Sequence, residues 1–171
     1  MRAQRLGILV VLLGLGAVAV VLVVRDPERR RVESAFFAYL GDLRMRRFDS
    51  ASRRVFPDDL TRLKVSALEH ASEYVVFRDS VMAFMGVSAP QDLAAVPRER
   101  FYEFLLDRTF TEHPEVHEVI SQGSVVGTRI IRDGGNAAVD ATFAVGTRQG
   151  RRQFVMHVDL VRLDDEWMVR L

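Results

Sequence analysis

Hydrophobic positions along the chain follow three different patterns. An unbroken apolar run covers residues 7–24, spacings of three and four dominate from residue 26 to about residue 120, and alternation begins at residue 124. Spacings of three and four are typical of helices that bury one face, and alternation is typical of strands. We therefore predict a single α+β domain over residues 25–171, with helices in residues 26–120 and a four-stranded antiparallel meander in residues 124–171.

Start and stop signals delimit the predicted helices. Asp26 before Pro27 combines a capping acid with proline at the first helical position. Pro57 and Pro97 begin two further helical patterns, and Gly86 between them suits a left-handed helix end. The first helix presents one apolar face to the core, formed by Val32, Phe36, Leu40 and Leu43.

Three turn signals determine the register that we predict for the sheet. Gly134-Gly135, Gln149-Gly150 and Asp164-Asp165 each indicate a two-residue hairpin loop. With these loops one face is almost wholly apolar, whereas a slip of one residue would turn its side chains away from the core. The residues of that face are Val126, Ile130, Val139, Ala141, Phe143, Val145, Phe154, Met156, Val158, Leu160, Trp167, Val169 and Leu171.

The opposite face of the predicted sheet is mixed. One row across the strands contains Arg129, Asp140, Asp159 and Arg170, and the next row pairs Thr142 with His157. Such a row is either a salt-bridge ladder on the sheet surface or a charged functional site. Apolar neighbours leave the face poorly suited to full exposure, so we expect a covering segment or a homodimer contact there. Those neighbours are Ile131, Val155, Val161 and Met168.

The apolar run of residues 7–24 predicts a transmembrane anchor. A helix of this length would extend about 27 Å, close to the ~30 Å hydrocarbon core of a bilayer. A basic head, residues 1–6, precedes it with Arg2 and Arg5. The alternative is a signal peptide cleaved after Ala19, which would leave Val20 to Val24 on the mature chain. We expect the uncleaved form, a single-pass membrane protein with its domain on the extracytoplasmic (periplasmic) side.

Composition narrows the possible partners. Of the 24 basic and 23 acidic residues, only Arg2 and Arg5 precede residue 25, so the domain is nearly neutral. A near-neutral domain is not suited to nucleic-acid binding. The chain has no cysteine, which excludes disulfides and lipid attachment to an N-terminal cysteine.

Few residue patterns indicate chemistry. His113 and His117 resemble a zinc pair, but Pro114 stands where a zinc protease needs glutamate, so we predict no metal and no cofactor. No Gly-x-Ser-x-Gly sequence occurs. The best acid–base candidates are His157 with Asp140 and Asp159, because a carboxylate can tune an imidazole for proton transfer. The alternative is a histidine within the surface ladder.

The order of elements resembles the nuclear transport factor 2-like superfamily, which includes SnoaL-like proteins. The resemblance lies in helices that precede a meander and in the last strands, 158–171, with an acidic turn before Trp167. It implies a curved sheet wrapped around helices in a cone with a pocket. In such a cone Tyr39, Asp42, Tyr74 and Tyr102 could approach the cavity. The family hosts binders, enzymes and structural domains, so the fold alone specifies no reaction.

Together these patterns favour a membrane-anchored, non-catalytic domain that binds a protein partner or a small apolar ligand, including service as an envelope scaffold. The alternative is a small pocket enzyme, an isomerase, hydratase or hydrolase, with His157 or a pocket aspartate as acid or base. A closed core would favour a scaffold, and an open cavity with converging polar groups would favour a ligand or catalysis.

Overall fold

The structure, a computed structural model, describes residues 26–147 and 150–171. Within them the chain is α+β, with helices followed by one antiparallel sheet of strand order β1-β2-β3-β4. The helices are α1 Pro27–Arg44, α2 Phe48–Ser52, α3 Pro57–Glu73, α4 Val75–Met85, a 3₁₀ helix Pro90–Ala95, α5 Arg98–Glu112 and α6 Pro114–Gln122. The strands are β1 Ser124–Asp133, β2 Asn136–Thr147, β3 Gly150–Leu163 and β4 Glu166–Val169.

The membrane part of the predicted fold class needs correction. In the part of the chain that the structure describes, no helix is both long enough and apolar enough to cross a bilayer. The longest described helix is α1, with 18 residues, and it carries a run of charged residues, Glu28 to Arg31, in its first turns. The predicted anchor, residues 7–24, and its basic head, residues 1–6, lie outside the described residues. The described residues therefore have an α+β fold, and the periplasmic location stays a prediction.

The helix boundaries follow the local signals. Pro57 opens α3, and Gly86 ends α4 in the left-handed conformation with φ 71°, as its missing side chain allows. The helical pattern that begins at Pro57 is divided into two helices, because Tyr74 is extended (φ −118°, ψ 106°) between α3 and α4. The predicted apolar face of α1 is confirmed, since Val32, Phe36, Leu40 and Leu43 are all buried.

The register of the sheet is confirmed for two of the three hairpins. Arg129 lies opposite Asp140 and Leu160 opposite Val169, as predicted. Between β2 and β3 the prediction is wrong by two residues, because Thr147 and Gly150 close that hairpin. A slip of two keeps every side chain on its predicted face, since the faces of a strand alternate with period two.

A bulge in β1 corrects the membership of the buried face. The pairing shifts between Val125 and Gly127, so Val125 packs against the core and Val126 is 47% exposed. A bulge inserts one unpaired residue and therefore reverses which side chains point inward beyond it. Phe154 and Leu171, also predicted on the buried face, are exposed at 41% and 52%.

The helices cover one face of the sheet with a filled core. Its largest fully buried side chains include Phe36 and Leu40 of α1, Phe143 of β2 and Leu160 of β3. A second apolar cluster lies among α3, α4, α5 and the 3₁₀ helix around Phe101 and Leu93. The other sheet face carries Asp140, His157 and Asp159, and Val155 on it is 68% exposed.

Candidate functional site

The predicted charged row does not form as one row. Arg129 and Asp140 are paired, but His157 lies opposite Asp140, and Asp159 lies opposite Ala138. Thr142 lies opposite Val155 rather than His157. Both corrections have one cause, the displaced hairpin between β2 and β3. The displacement brings the imidazole between the two carboxylates.

We call Asp140, His157 and Asp159 the His157 cluster. The imidazole Nδ1 lies 2.6 Å from Asp140 Oδ1, and its Nε2 lies 3.1 Å from Asp159 Oδ1. A protonated ring donates both hydrogen bonds, so the Asp140 hydrogen bond and then the Asp159 charge raise the pKa of His157 above its ordinary 6.5. The side chain is 56% exposed on the outer face of the sheet. The cluster therefore binds a proton in contact with solvent.

The stability of the protein should depend on pH through His157. A pKa raised in the folded state stabilises the fold fully below the ordinary pKa, and this stabilisation is lost as the pH rises through the folded value. We expect His157→Gln to lower the free energy of unfolding, measured with urea, more at pH 5.5 than at pH 9. In an NMR titration, Asp140→Asn should lower the pKa of His157. Equal losses at both pH values, or an unmoved pKa, would contradict the geometry.

The side chain of Arg170 does not join the predicted row but binds a buried aspartate, Asp59. Its Nε donates to Asp59 Oδ2 at 2.7 Å, and Leu171 N donates to the same oxygen at 3.0 Å. Arg62 binds the other oxygen, Oδ1. Burial by itself would raise the pKa of Asp59, but the hydrogen bonds from Leu171, Arg62 and Arg170 hold it below its ordinary value. This cluster joins the C-terminal residues to α3, which is a structural role.

Three of the four residues expected around a cone-shaped cavity are buried inside the fold. The Tyr39 and Tyr102 hydroxyls are hydrogen-bonded to each other in the core, and burial raises the pKa of both. Asp42 is buried, with Arg47 at 2.9 Å and Arg54 at 2.6 Å from its oxygens. Tyr74 is exposed. These four side chains therefore do not line a common pocket.

The two candidate metal ligands lie in different surroundings. His113 Nδ1 contacts Glu115 Oε1 at 3.3 Å, whereas the His117 ring lies 5.0 Å from that of Phe110. Over residues 26–147 and 150–171, no group of three His, Asp or Glu side chains is arranged so that it could hold a metal ion.

An apolar groove lies between α6 and the sheet. Its volume is about 410 Å³, and it opens to solvent beside β3. Its lining is Glu115, Val116, Val119, Ile120, Phe143, Phe154, Val155 and Met156. Glu115 is the single charged residue of that set. The helical side of this groove was not predicted, although the spacing of Val116, Val119 and Ile120 by three and one was a usable signal.

The groove exists because α6 is held close to β2 at its C-terminal end. Arg44 Nε donates to Ile120 O at 2.9 Å and its Nη2 to Gly123 O at 2.6 Å, so a cation satisfies the last carbonyls of the helix. Gly123 permits the approach, since a Cβ there would lie 2.3 Å from Val119 O and 3.1 Å from the Phe143 ring. At the N-terminal end of α6, Glu115 and Val116 line the groove together with exposed Phe154, and the groove is open to solvent there.

Two further cavities lie elsewhere. One of about 280 Å³ lies among α1, α2 and β4 beside Arg53 and Trp167, and another of about 310 Å³ lies beside His70 and Phe77. His157 lines none of these three cavities. The His157 cluster and the apolar groove are therefore separate features of the sheet.

Comparisons with known protein families and with curated proteins find no match for this chain. The resemblance to the nuclear transport factor 2-like superfamily therefore stays a prediction.

Proposed function

We propose that this domain binds a small apolar ligand in the groove between α6 and β3, as a binding domain rather than an enzyme. The observation that carries the proposal is the groove itself, whose lining is apolar apart from Glu115. Its volume of about 410 Å³ falls in the range of small-molecule sites, which are concave and mostly apolar.

The exposure of the groove residues supports the same proposal. Phe154 is 41% exposed and Val116 is also exposed, although both border buried residues of the core. Covering such side chains removes apolar surface from water, and full burial of one contributes about 1.5–3 kcal/mol. A bound apolar molecule would therefore gain affinity from the lining without needing a specific polar partner.

The alternative, a pocket enzyme that uses His157, has weaker support. The His157 cluster is solvated on the outer face, whereas efficient proton transfer needs the acid or base within hydrogen-bond reach of a bound substrate. The groove contains one carboxylate, Glu115, and it is exposed. Converging polar groups, which would favour catalysis, are not part of this lining.

Binding should be measurable with N-phenyl-1-naphthylamine, an apolar fluorophore that brightens on leaving water. We expect the chain to bind it and Phe154→Ser to weaken binding about tenfold, since much of the groove floor is removed. Val126→Ser is the matched control, because Val126 is a comparably exposed strand residue outside the groove. Absent binding, or equal losses in both variants, would refute the proposal.

A further inference from the structure

Among the residues that the structure describes, one long edge of the sheet has no neighbouring strand over most of its length. β2 pairs with β3 from Gly150 to Val161, whereas β4 pairs only with Leu160 to Leu163. The outer side of β4 is itself covered, since Val55 forms a parallel bridge with Val169. No strand within residues 26–147 and 150–171 pairs with the outer side of residues 151–157. We call these seven residues the edge segment.

The backbone of the edge segment presents a ladder of donors and acceptors. Asp159 O accepts from Arg170 N on the β4 side, whereas Arg162 N donates to Gly135 O on the β2 side. Successive residues of an antiparallel strand point their backbone groups to opposite sides, and no register shift interrupts β3 against β2. The backbone N–H and C=O groups of the odd-numbered residues of the edge segment therefore point away from β2. These residues are Arg151, Gln153, Val155 and His157.

The middle of the edge segment is apolar, between Arg151 and Arg152 at one end and His157 at the other. Phe154 and Val155 are exposed at 41% and 68% in its middle. An exposed, regular, apolar edge is a template for another strand. The other edge strand, β1, is interrupted by its bulge at Val126, whereas β3 has no bulge against β2. Pairing through β3 is therefore favoured over pairing through β1.

We propose that the partner of this edge is a second copy of the chain, paired antiparallel about a two-fold axis at Phe154. Phe154 then lies against Phe154 of the partner subunit, and Gln153 lies opposite Val155 of the partner subunit. The backbone groups of both residues in that second pair point toward the other strand, so the two residues exchange backbone hydrogen bonds. The two apolar grooves meet at the axis, because Phe154 lines each of them.

Charge along the edge favours a second copy. Arg151 lies at one end of the segment, and the His157 cluster with its two carboxylates lies at the other. With the two-fold axis at Phe154, Arg151 of each copy lies opposite the partner's His157 and diagonal to the partner's Asp159. Two carboxylates flank that imidazole, so Arg151 meets a cluster of net negative charge, and opposite charges on neighbouring strands are stabilising. One surface of the chain thus supplies both the positive and the negative group of the contact between two copies.

The C-terminal residues restrict the register. Arg170 occupies the position across from Asp159, since its N–H donates to Asp159 O. A dimer centred on Val155 would bring the partner's Arg151 to that same position. A dimer centred on Phe154 places the partner's Gly150, the first described residue of its β3, opposite Val158. In this register the described residues of the partner's β3 end one position before the place that Arg170 occupies.

Proline at position 153 tests the pairing. It removes an outward N–H without removing a bond to β2, and proline is tolerated in edge strands. In sedimentation velocity between micromolar and submillimolar concentrations, we expect a reversible dimer whose Kd rises about tenfold or more in Gln153→Pro. Gln153→Thr, which keeps the N–H, should retain the dimer. Circular dichroism melting curves verify that each variant is folded.

A charge exchange provides a second, independent measurement. Arg151→Glu and Asp159→Arg should each weaken the dimer, and the double variant should recover part of the loss, because the opposite charges then meet again. A monomeric chain, an unchanged Kd in folded Gln153→Pro, or additive losses in the double variant would overturn the proposal. Fluorophore binding by the monomeric Gln153→Pro variant would show that the groove functions without the dimer.

Discussion

Asp59→Asn is expected to lower the free energy of unfolding by about 3 kcal/mol, because hydrogen bonds to a buried charged group contribute about 1.5–3 kcal/mol and several share this carboxylate. Asp59 accepts from Leu171 N, Arg170 Nε and Arg62 while its side chain is almost wholly buried. The two arginines are partly solvated, so the loss arises chiefly at the aspartate. Urea unfolding at pH 7 measures the effect.

Asp58→Asn is the matched control for this prediction. Asp58 lies one residue earlier in the first turn of α3 but is exposed, so its replacement should change stability by about 0.5 kcal/mol or less. The pH dependence gives a second check. The folded pKa of Asp59 lies below the ordinary 3.8, so its contribution is complete above 3.8 and is lost as the pH falls through the folded value. A loss that persisted unchanged at pH 2 would contradict this role.

The link between Asp59 and Arg170 also marks a limit of sequence reasoning. Local patterns placed Arg170 beside Asp159, and the backbone does so, because Arg170 N donates to Asp159 O. The guanidinium instead binds a carboxylate 111 residues earlier in the chain. A long side chain can pair with any opposite charge within its reach. Only the packing of α3 against the C-terminal strand brings Asp59 within reach of Arg170.

The faces of the sheet and the register of two hairpins were predictable from the sequence, but the register between β2 and β3 was not. Burial of Val139, Ala141, Phe143, Val158 and Leu160 follows from alternation alone. A shift of two residues in the pairing preserves that alternation, so the hydrophobic pattern cannot distinguish a hairpin closed by Thr147 and Gly150 from one closed by Arg148 and Arg151. This difference moved His157 between its two aspartates and thereby formed the candidate proton site.

The β-bulge and the groove were hidden for related reasons. Val125 and Val126 are identical in type, so the sequence contains no sign of which one points inward. The groove depends on the distance between α6 and the sheet, which Arg44 and Gly123 determine through contacts distant in the chain. Periodicity assigns residues to faces, whereas cavities arise from how far apart those faces are held.

Tyr102→Phe is expected to lower the free energy of unfolding by about 2 kcal/mol. The change leaves the buried Tyr39 hydroxyl without its partner, and an unsatisfied buried polar group costs about 1–3 kcal/mol. Tyr39→Phe should have a similar effect for the same reason. Urea unfolding of both variants measures the losses. Tyr74→Phe, at an exposed tyrosine, is the control and should change stability by about 0.5 kcal/mol or less.

The double variant, with phenylalanine at positions 39 and 102, determines whether these hydroxyls lie in a closed core or in a cavity. In a closed core it should be more stable than the sum of the single losses implies, because neither hydroxyl then remains unsatisfied. Additive losses would indicate that water reaches both groups, as in the pocket of a cone-shaped fold. Strong coupling would instead leave the open groove beside β3 as the better candidate for a ligand.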